Sequence, residues 1–241
     1  MPPFPSERDE NFCFPIPDIL ENERVKIVPF IPSEHATLVF ENWRAAPRLI
    51  DYLPFGPFET IETFMSEFWE GRLKKNFGDA LFVIYDKTRS DENGQPLPAG
   101  TIAFINSSAP DLSTEIGCIV VFPQFQRTHI TSNAVGLMMH YALDLPEEGG
   151  IGCRRLEWRA NANNSASVRL AQKMGFVLEG VMKWHRAIPQ AKAIGHNGST
   201  IRKGDPRAEH LARDSAILAI YWDIWENGGR EQVDQRMART A

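Results

Sequence analysis

Cysteine is scarce in this chain: Cys13, Cys118 and Cys153 are three of 241 residues, an odd number at wide spacing. That excludes a disulfide framework and a paired-cysteine zinc site, leaving reduced thiols in an intracellular protein. Long apolar runs are missing too; none approaches the ~18 residues a membrane-spanning helix needs. Basic residues are not in excess, with 26 Lys and Arg against 31 Asp and Glu and a net charge of −5. A nucleic-acid binder normally carries a basic footprint, so that class is set aside. The first seventeen residues hold five prolines but neither the basic start nor the apolar stretch of a secretory signal. The expectation is a soluble cytoplasmic protein with neither membrane nor nucleic acid as partner.

The remaining composition suits one substantial core. Fifteen Phe and six Trp supply large apolar side chains, and the length is well beyond that at which small domains need a staple. Prolines deny residues 1–23 a helix, so an extended N-terminal arm is expected. Next come a single domain over 24–230 and a C-terminal tail at 231–241. Residues 24–29 alternate as a first strand. Ser33 is the expected cap of a first helix and Thr60 of a second, in which Phe64, Phe68, Trp69 and Leu73 recur at helical spacing. Strands are predicted over 80–86, 100–108, 113–123, 154–160, 177–185 and 215–225. Asn93-Gly94 is a hairpin turn signal. Helices are expected from Asn133 to Leu143 and from Asn164 to Met174, the latter ended by Gly175. This order predicts an α/β (α+β) fold with a mixed, largely antiparallel sheet of about seven strands flanked by helices. Residues 188–214 are polar and basic and read as a long loop insert, a surface segment or a lid.

The segment EIGCIVVFPQFQRTHITSNA (115–134) carries most chemical information. A strand runs into a polar loop and the loop opens a helix. The free amides and dipole at such an N-terminus favour a phosphate or pyrophosphate, and Arg127 adds positive charge.

From Tyr52 to Trp225 the sequence resembles the GNAT superfamily of acyl-CoA-dependent N-acyltransferases. The likeness is to the branch that includes ribosomal-protein alanine acetyltransferases. It is carried by YLPFGPF (52–58), EIGCIVV (115–121), QRTHITSNA (126–134) and RRLEWRANANNSASVRLAQKMGF (154–176), then EGVMKWHR (179–186) and RDSAILAIYWDIW (213–225). The resemblance implies splayed central strands and acetyl-CoA as co-substrate, with no metal. It assigns Gln126 the first place of the pyrophosphate loop and Arg127, Thr128, His129, Ile130, Thr131 and Ser132 the remainder. His129 and Thr131 stand where the superfamily often has glycine. Ile119 and Val121 are implied to hydrogen-bond the pantetheine arm, and the Ile119 amide to face the developing oxyanion. Asn164 and Ser167 match the family's N-x-x-S, with Asn164 against the pantetheine and Ser167 the proton donor to the leaving thiolate.

Other readings of the same residues stand beside these. Asn164 also suits a helix N-cap, and Ser167 a small space in a helix. Glu115 is the first candidate for the general base, with a structural ion pair or cross-strand contact as the other reading, and His185 is the second; Glu179 matches the branch's E-G or simply a strand-end turn. The tyrosine that many members use as acid would fall near Ala171 and is absent. Tyr52, Phe55, Phe58 and Trp184 are candidates for the acceptor pocket or for core packing. The implied activity is N-acetyl transfer to a primary amine. The alternatives are an N-terminal protein acetyltransferase and a non-catalytic acyl-CoA-binding sensor or scaffold. The acceptor is then a small-molecule amine or a peptide N-terminus, and a homodimer is a possible assembly. Glu115→Gln is expected to lower kcat mainly at low pH.

Overall fold

A strand needs partners, and the order of pairing here builds one sheet. In a computed structural model, which describes residues 4–239, eight strands run β1-β2-β3-β4-β5-β6-β8-β7. They are β1 (Leu20–Glu21), β2 (Val25–Pro29), β3 (Ala80–Ser90), β4 (Pro96–Ser108), β5 (Ser113–Val121), β6 (Arg155–Asn161), β7 (Val177–Pro189) and β8 (His210–Tyr221). All pairs are antiparallel except β5 with β6. The β3–β4 hairpin turns at Asn93-Gly94, where Gly94 takes φ +75°, a conformation that glycine adopts without penalty.

Helix α1 spans Pro32–Ala45; α2 opens at Ile61–Thr63 and continues as a π-helix over Phe64–Leu73. Thr60 caps α2 as expected: its hydroxyl accepts from the Thr63 amide at 3.3 Å while Thr63 Oγ1 accepts from the Thr60 amide at 3.2 Å. Trp43 of α1 closes on Phe64 and Phe68 with ring centroids 5.6 and 5.2 Å away. The loop residues Phe55 and Phe58 join this aromatic core. Helix α3 (Ile130–Leu143) crosses from β5 to β6, and α4 (Ser165–Lys173) leads into β7. Asn164 caps α4, and Gly175 at φ +96° comes just after its end.

Several expectations are corrected. The sheet of about seven strands has an eighth, because the arm supplies β1 against β2. Ser33 does not cap α1. Pro32 takes the first turn, where its fixed φ and missing N–H suit the helix start, and the cap residue is Ile31. The insert is shorter than 188–214, because β7–β8 pairing runs on through Ile188–Leu211 and Pro189–His210 and leaves only 190–209 between. Polar sequence is tolerated there because β7 is a sheet edge. The last strand stops at Tyr221, and Trp222–Ile224 is helical (α5), continuing as a π-turn. The expected tail is helix α6 (Arg230–Met237), with Val233 fully buried. It seats on α3 at Gly136, where even a Cβ would collide with the Met237 sulfur.

The N-terminal arm lies on this same chain. Phe12 is buried and stacks on Phe104, and the Tyr141 hydroxyl donates to the Pro15 carbonyl at 2.7 Å. Residues 1–3 of the expected arm and 240–241 of the expected tail lie outside the described residues. Among the described residues no helix is long and apolar enough to cross a membrane.

Candidate active site

Interruptions of the strand ladders create the site. β5 pairs with β4 at Val121–Gly100 and Val120–Thr101, then again at Gly117–Ala103. Cys118 and Ile119 between them form a bulge. Cys118 has φ +49°, a left-handed conformation costing a residue with a side chain roughly 1 kcal/mol or more. The Thr101 hydroxyl donates to its carbonyl at 3.2 Å. A bulge bends its strand and re-aims the side chains next to it. On the other side β5 pairs with β6 only at Ser113–Arg155, Thr114–Leu156 and Glu115–Glu157. Beyond that seam both strands continue without pairing to each other, so the central strands splay. The slot between them is lined by Ile119, Trp158, Asn161, Asn164 and Ser167, among others. Ile119 has no register partner in either neighbouring ladder and lines the slot. The Val121 carbonyl already accepts from the Gln126 side chain at 3.0 Å. Gln126 therefore ties the end of β5 to the loop.

That loop is tightly held. Arg89 donates to the Gln124 carbonyl at 3.1 Å and lies over the Phe125 ring. The Thr128 hydroxyl donates to the Phe125 carbonyl at 2.6 Å and receives the Ile130 amide at 3.3 Å. Arg127 is exposed with φ +60°. Left-handed geometry thus falls at Arg127, while His129, one of the positions where glycine is common in relatives, is right-handed at φ −64°. Among the described residues the amides of Arg127, Thr128 and His129 make no internal hydrogen bond. With Thr131 and Ser132 in the first turn of α3, they form the cradle that an anion needs. His129 would contribute backbone only. Its side chain is 10% exposed and turns inward, Nε2 lying 3.3 Å from Oδ1 of the fully buried Asp86; it is not a solvent-facing histidine.

Ser167 receives a hydrogen bond at 3.0 Å from the Trp158 indole. An indole only donates, so the Ser167 oxygen is the acceptor and its own proton is left for the slot. Asn164 caps α4 by accepting from the Ser167 amide at 3.1 Å and also lines the slot.

Glu115 is on the other side of the bulge. It lines a small chamber of about 50 Å³ that adjoins the slot and shares Leu53, Gly117, Cys118, Arg159 and Arg213 with it. Glu115 Oε2 accepts from Asn106 Nδ2 at 2.8 Å and lies 3.3 Å from Arg159 Nε. Glu115 is only 3% exposed, and burial outweighs both partners, pushing its carboxyl up to about 7. The ion pair is present, and it leaves the carboxyl in the range a base would need. His185 lines the same chamber, bonded to Ser215 Oγ at 2.9 Å. Burial and the nearby Arg186, Arg159 and Arg213 hold it below the usual histidine range. Glu115 and Ser167 face adjoining cavities and not one common cavity. Glu179 is outside both, bidentate to Arg155 at 2.9 and 2.5 Å. Trp184 is 55% exposed and lines neither. Cys118 lines both, but burial pushes its thiol up to about 12 and makes it inert. Among the described residues no cluster of His, Cys, Asp and Glu is arranged for a metal ion.

The model of the acetyltransferase (GNAT) domain matches residues 24–177. The chain belongs to the GNAT family. This GNAT protein is an acetyltransferase, and its family implies acetyl transfer from acetyl-CoA. Among curated proteins no sequence match is found. A GCN5-related N-acetyltransferase from Brucella melitensis has a similar structure, with TM-score 0.70 at 22% identity over 98% of this chain and 89% of that one. The ribosomal-protein-S5-alanine acetyltransferase of Vibrio fischeri gives 0.59 at 17% over 86% and 98%. The spermidine N-acetyltransferase of Vibrio cholerae, in complex with CoA and spermine, gives 0.58 at 14% over 86% and 100%. These likenesses show the same mixed α/β fold. In this GNAT protein, sequence reasoning passed over Asn106, Trp158 and the arginines 72, 159, 186 and 213. For Arg213 the sequence signal is a charge set at the start of an otherwise apolar strand; for the others there is none.

Proposed function

We propose that this GNAT acetyltransferase acetylates a small primary amine by direct attack in a ternary complex. The observation that carries the reading is the junction at Gly117–Cys118, where slot and chamber meet with Ser167 on one side and Glu115 on the other. The amide cradle at 127–132 suits the pyrophosphate of acetyl-CoA, and the open edges of β5 and β6 suit the amides of its pantetheine arm. The Ile119 amide, at the bulge beside the slot, would hold the negative charge that grows on the thioester oxygen.

The amine nitrogen forms the new C–N bond as the C–S bond breaks. Glu115, with its carboxyl near 7, would take the proton that the nitrogen sheds, directly or through a water. His185 is the second acceptor within the chamber. Ser167, its oxygen fixed by Trp158, would supply a proton to the departing thiolate. Holding both reactants at the junction supplies much of the acceleration.

The insert favours a small acceptor over a protein tail. Lys192, 2% exposed, donates to the Ile50 carbonyl at 2.6 Å, and Asn161 donates to the Gly195 carbonyl at 2.8 Å. These bonds pin residues 190–195 beside Tyr52 and Asn161, both lining the slot. We place the reaction in the cytoplasm, since all three cysteines are free thiols. The test is calorimetric titration with acetyl-CoA and CoA, alongside thiol release over a panel of amines. Saturable binding with amine-dependent release is expected. Binding with no turnover of any amine would instead support an acyl-CoA-binding sensor.

A further inference from the structure

The chamber beside the junction is unusually positive for a protein of net charge −5. Four arginines from four elements line it: Arg72 from α2, Arg159 from β6, Arg186 from β7 and Arg213 from β8. Only Arg159 has carboxylate partners, Glu157 at 2.5 Å and Glu115. Arg72, Arg186 and Arg213 form no ion pair with a carboxylate among the described residues. The Nε atoms of Arg72 and Arg213 are buried without a hydrogen-bond partner. Arg213 is 6% exposed, and its one internal bond goes to the Tyr52 carbonyl at 3.1 Å. Arg72 lies over the Phe55 ring at 5.1 Å, which fixes the guanidinium while leaving its donors free.

Guanidinium groups taken out of water without a counter-charge are costly, and buried donors are normally satisfied. The strain is visible in the charges themselves: burial first, and then Arg186, hold Arg213 down to about 10, and burial lowers Arg186 as well. Glu115 favours the charge of Arg186 and Arg213 at a distance, yet it pairs with Arg159 and Asn106 and leaves the other three guanidinium groups without a carboxylate in contact. Planar forks of this kind match carboxylate and phosphate oxygens in pairs.

We propose that the acceptor amine carries an anionic group, a carboxylate or a phosphate, which seats among Arg72, Arg186 and Arg213 while its nitrogen faces Glu115. This rests on the acetyl-transfer reading of the site and names its substrate class. It separates this chain from polyamine acetylation, since a polycation would meet three guanidinium groups that have no carboxylate partner. It also gives the chamber's small volume a purpose, because a compact anionic headgroup fills it.

The experiment compares matched amines with acetyl-CoA by thiol release: glycine against glycinamide, O-phosphoethanolamine against ethanolamine, and spermidine as the cation. In parallel, CoA-loaded protein is titrated calorimetrically with malonate and with inorganic phosphate. The anionic member of at least one pair is expected to turn over well above its neutral partner, and the favoured pair decides between carboxylate and phosphate. The corresponding small anion is expected to bind saturably. Arg186→Gln should raise KM for the anionic amine roughly tenfold to a hundredfold, leave the affinity for acetyl-CoA unchanged, and be partly rescued by Arg186→Lys. Arg72→Gln is the second variant, should Arg186→Gln fold poorly.

Equal or better turnover of neutral or cationic amines overturns the proposal. So does the absence of both anion binding and anionic turnover, and so does an Arg186→Gln effect confined to acetyl-CoA. Failure of acetyl-CoA and CoA to bind at all would strike the acetyl-transfer reading itself, which the calorimetric arm reads separately.

Discussion

Replacing Glu115 with Gln tests the site through two independent measurements. The folded carboxyl is held near 7 against an ordinary 4.5. A folded pKa above the unfolded one means that the native state keeps a proton the unfolded chain has lost. Stability is therefore fully present below about pH 4.5 and falls as pH rises toward 7. The shift corresponds to roughly 3 kcal/mol withheld from the folded state above pH 7. Gln is neutral at every pH, and its carbonyl can still accept from Asn106. Urea unfolding of both proteins between pH 4.5 and 8 should give a difference near zero at the acid end. The variant should gain on the natural protein by up to about 3 kcal/mol at the alkaline end. Activity should move the opposite way. A base titrating near 7 is already protonated at pH 5 to 6, where Gln loses little. From pH 7 up to the amine's own titration the variant should fall short by about a hundredfold. Burial thus reverses the low-pH loss expected from the sequence. A stability difference that does not change with pH, together with a pH–rate profile of unchanged shape, would refute both the raised pKa and the base assignment.

Arg127→Ala should weaken acetyl-CoA binding roughly tenfold in a calorimetric titration while leaving the unfolding temperature alone, because Arg127 is exposed. Trp158→Phe removes the one donor to Ser167 Oγ; kcat should fall with little change in KM for acetyl-CoA, measured by steady-state kinetics. Gly100→Ala would drive a Cβ into the Val120 carbonyl oxygen. That atom is backbone and cannot turn aside, so denaturant titration should show a loss of about 2–3 kcal/mol.

Much of the frame was readable from local pattern, and the reasons are local. Thr60, Asn164 and Asn93-Gly94 are cap and turn signals that act within three or four residues, and each is where the sequence places it. The slot was legible too, since family motifs mark both of its strands. The features that escaped depend on distant partners. The extension of β7 is set by β8, twenty residues on, and not by its own polar sequence. Helix α6 has little apolar character of its own and forms where Val233 and Met237 find α3. The arginine chamber gathers one residue from each of four elements, which no spacing rule foretells. The inward turn of the His129 side chain escaped because Asp86, its buried counterpart, lies on β3.

The seam of three residue pairs between β5 and β6 means that two half-sheets share one short joint, with open edges facing each other above it. An occupant that bonds to both edges is then a crosspiece that locks the halves together. At a hundredfold over its Kd, such an occupant adds about 2.7 kcal/mol to folding stability. The fraction of chain open to proteases would fall by about two orders of magnitude. The supply of acetyl-CoA would then govern how long each molecule survives as well as how fast it works.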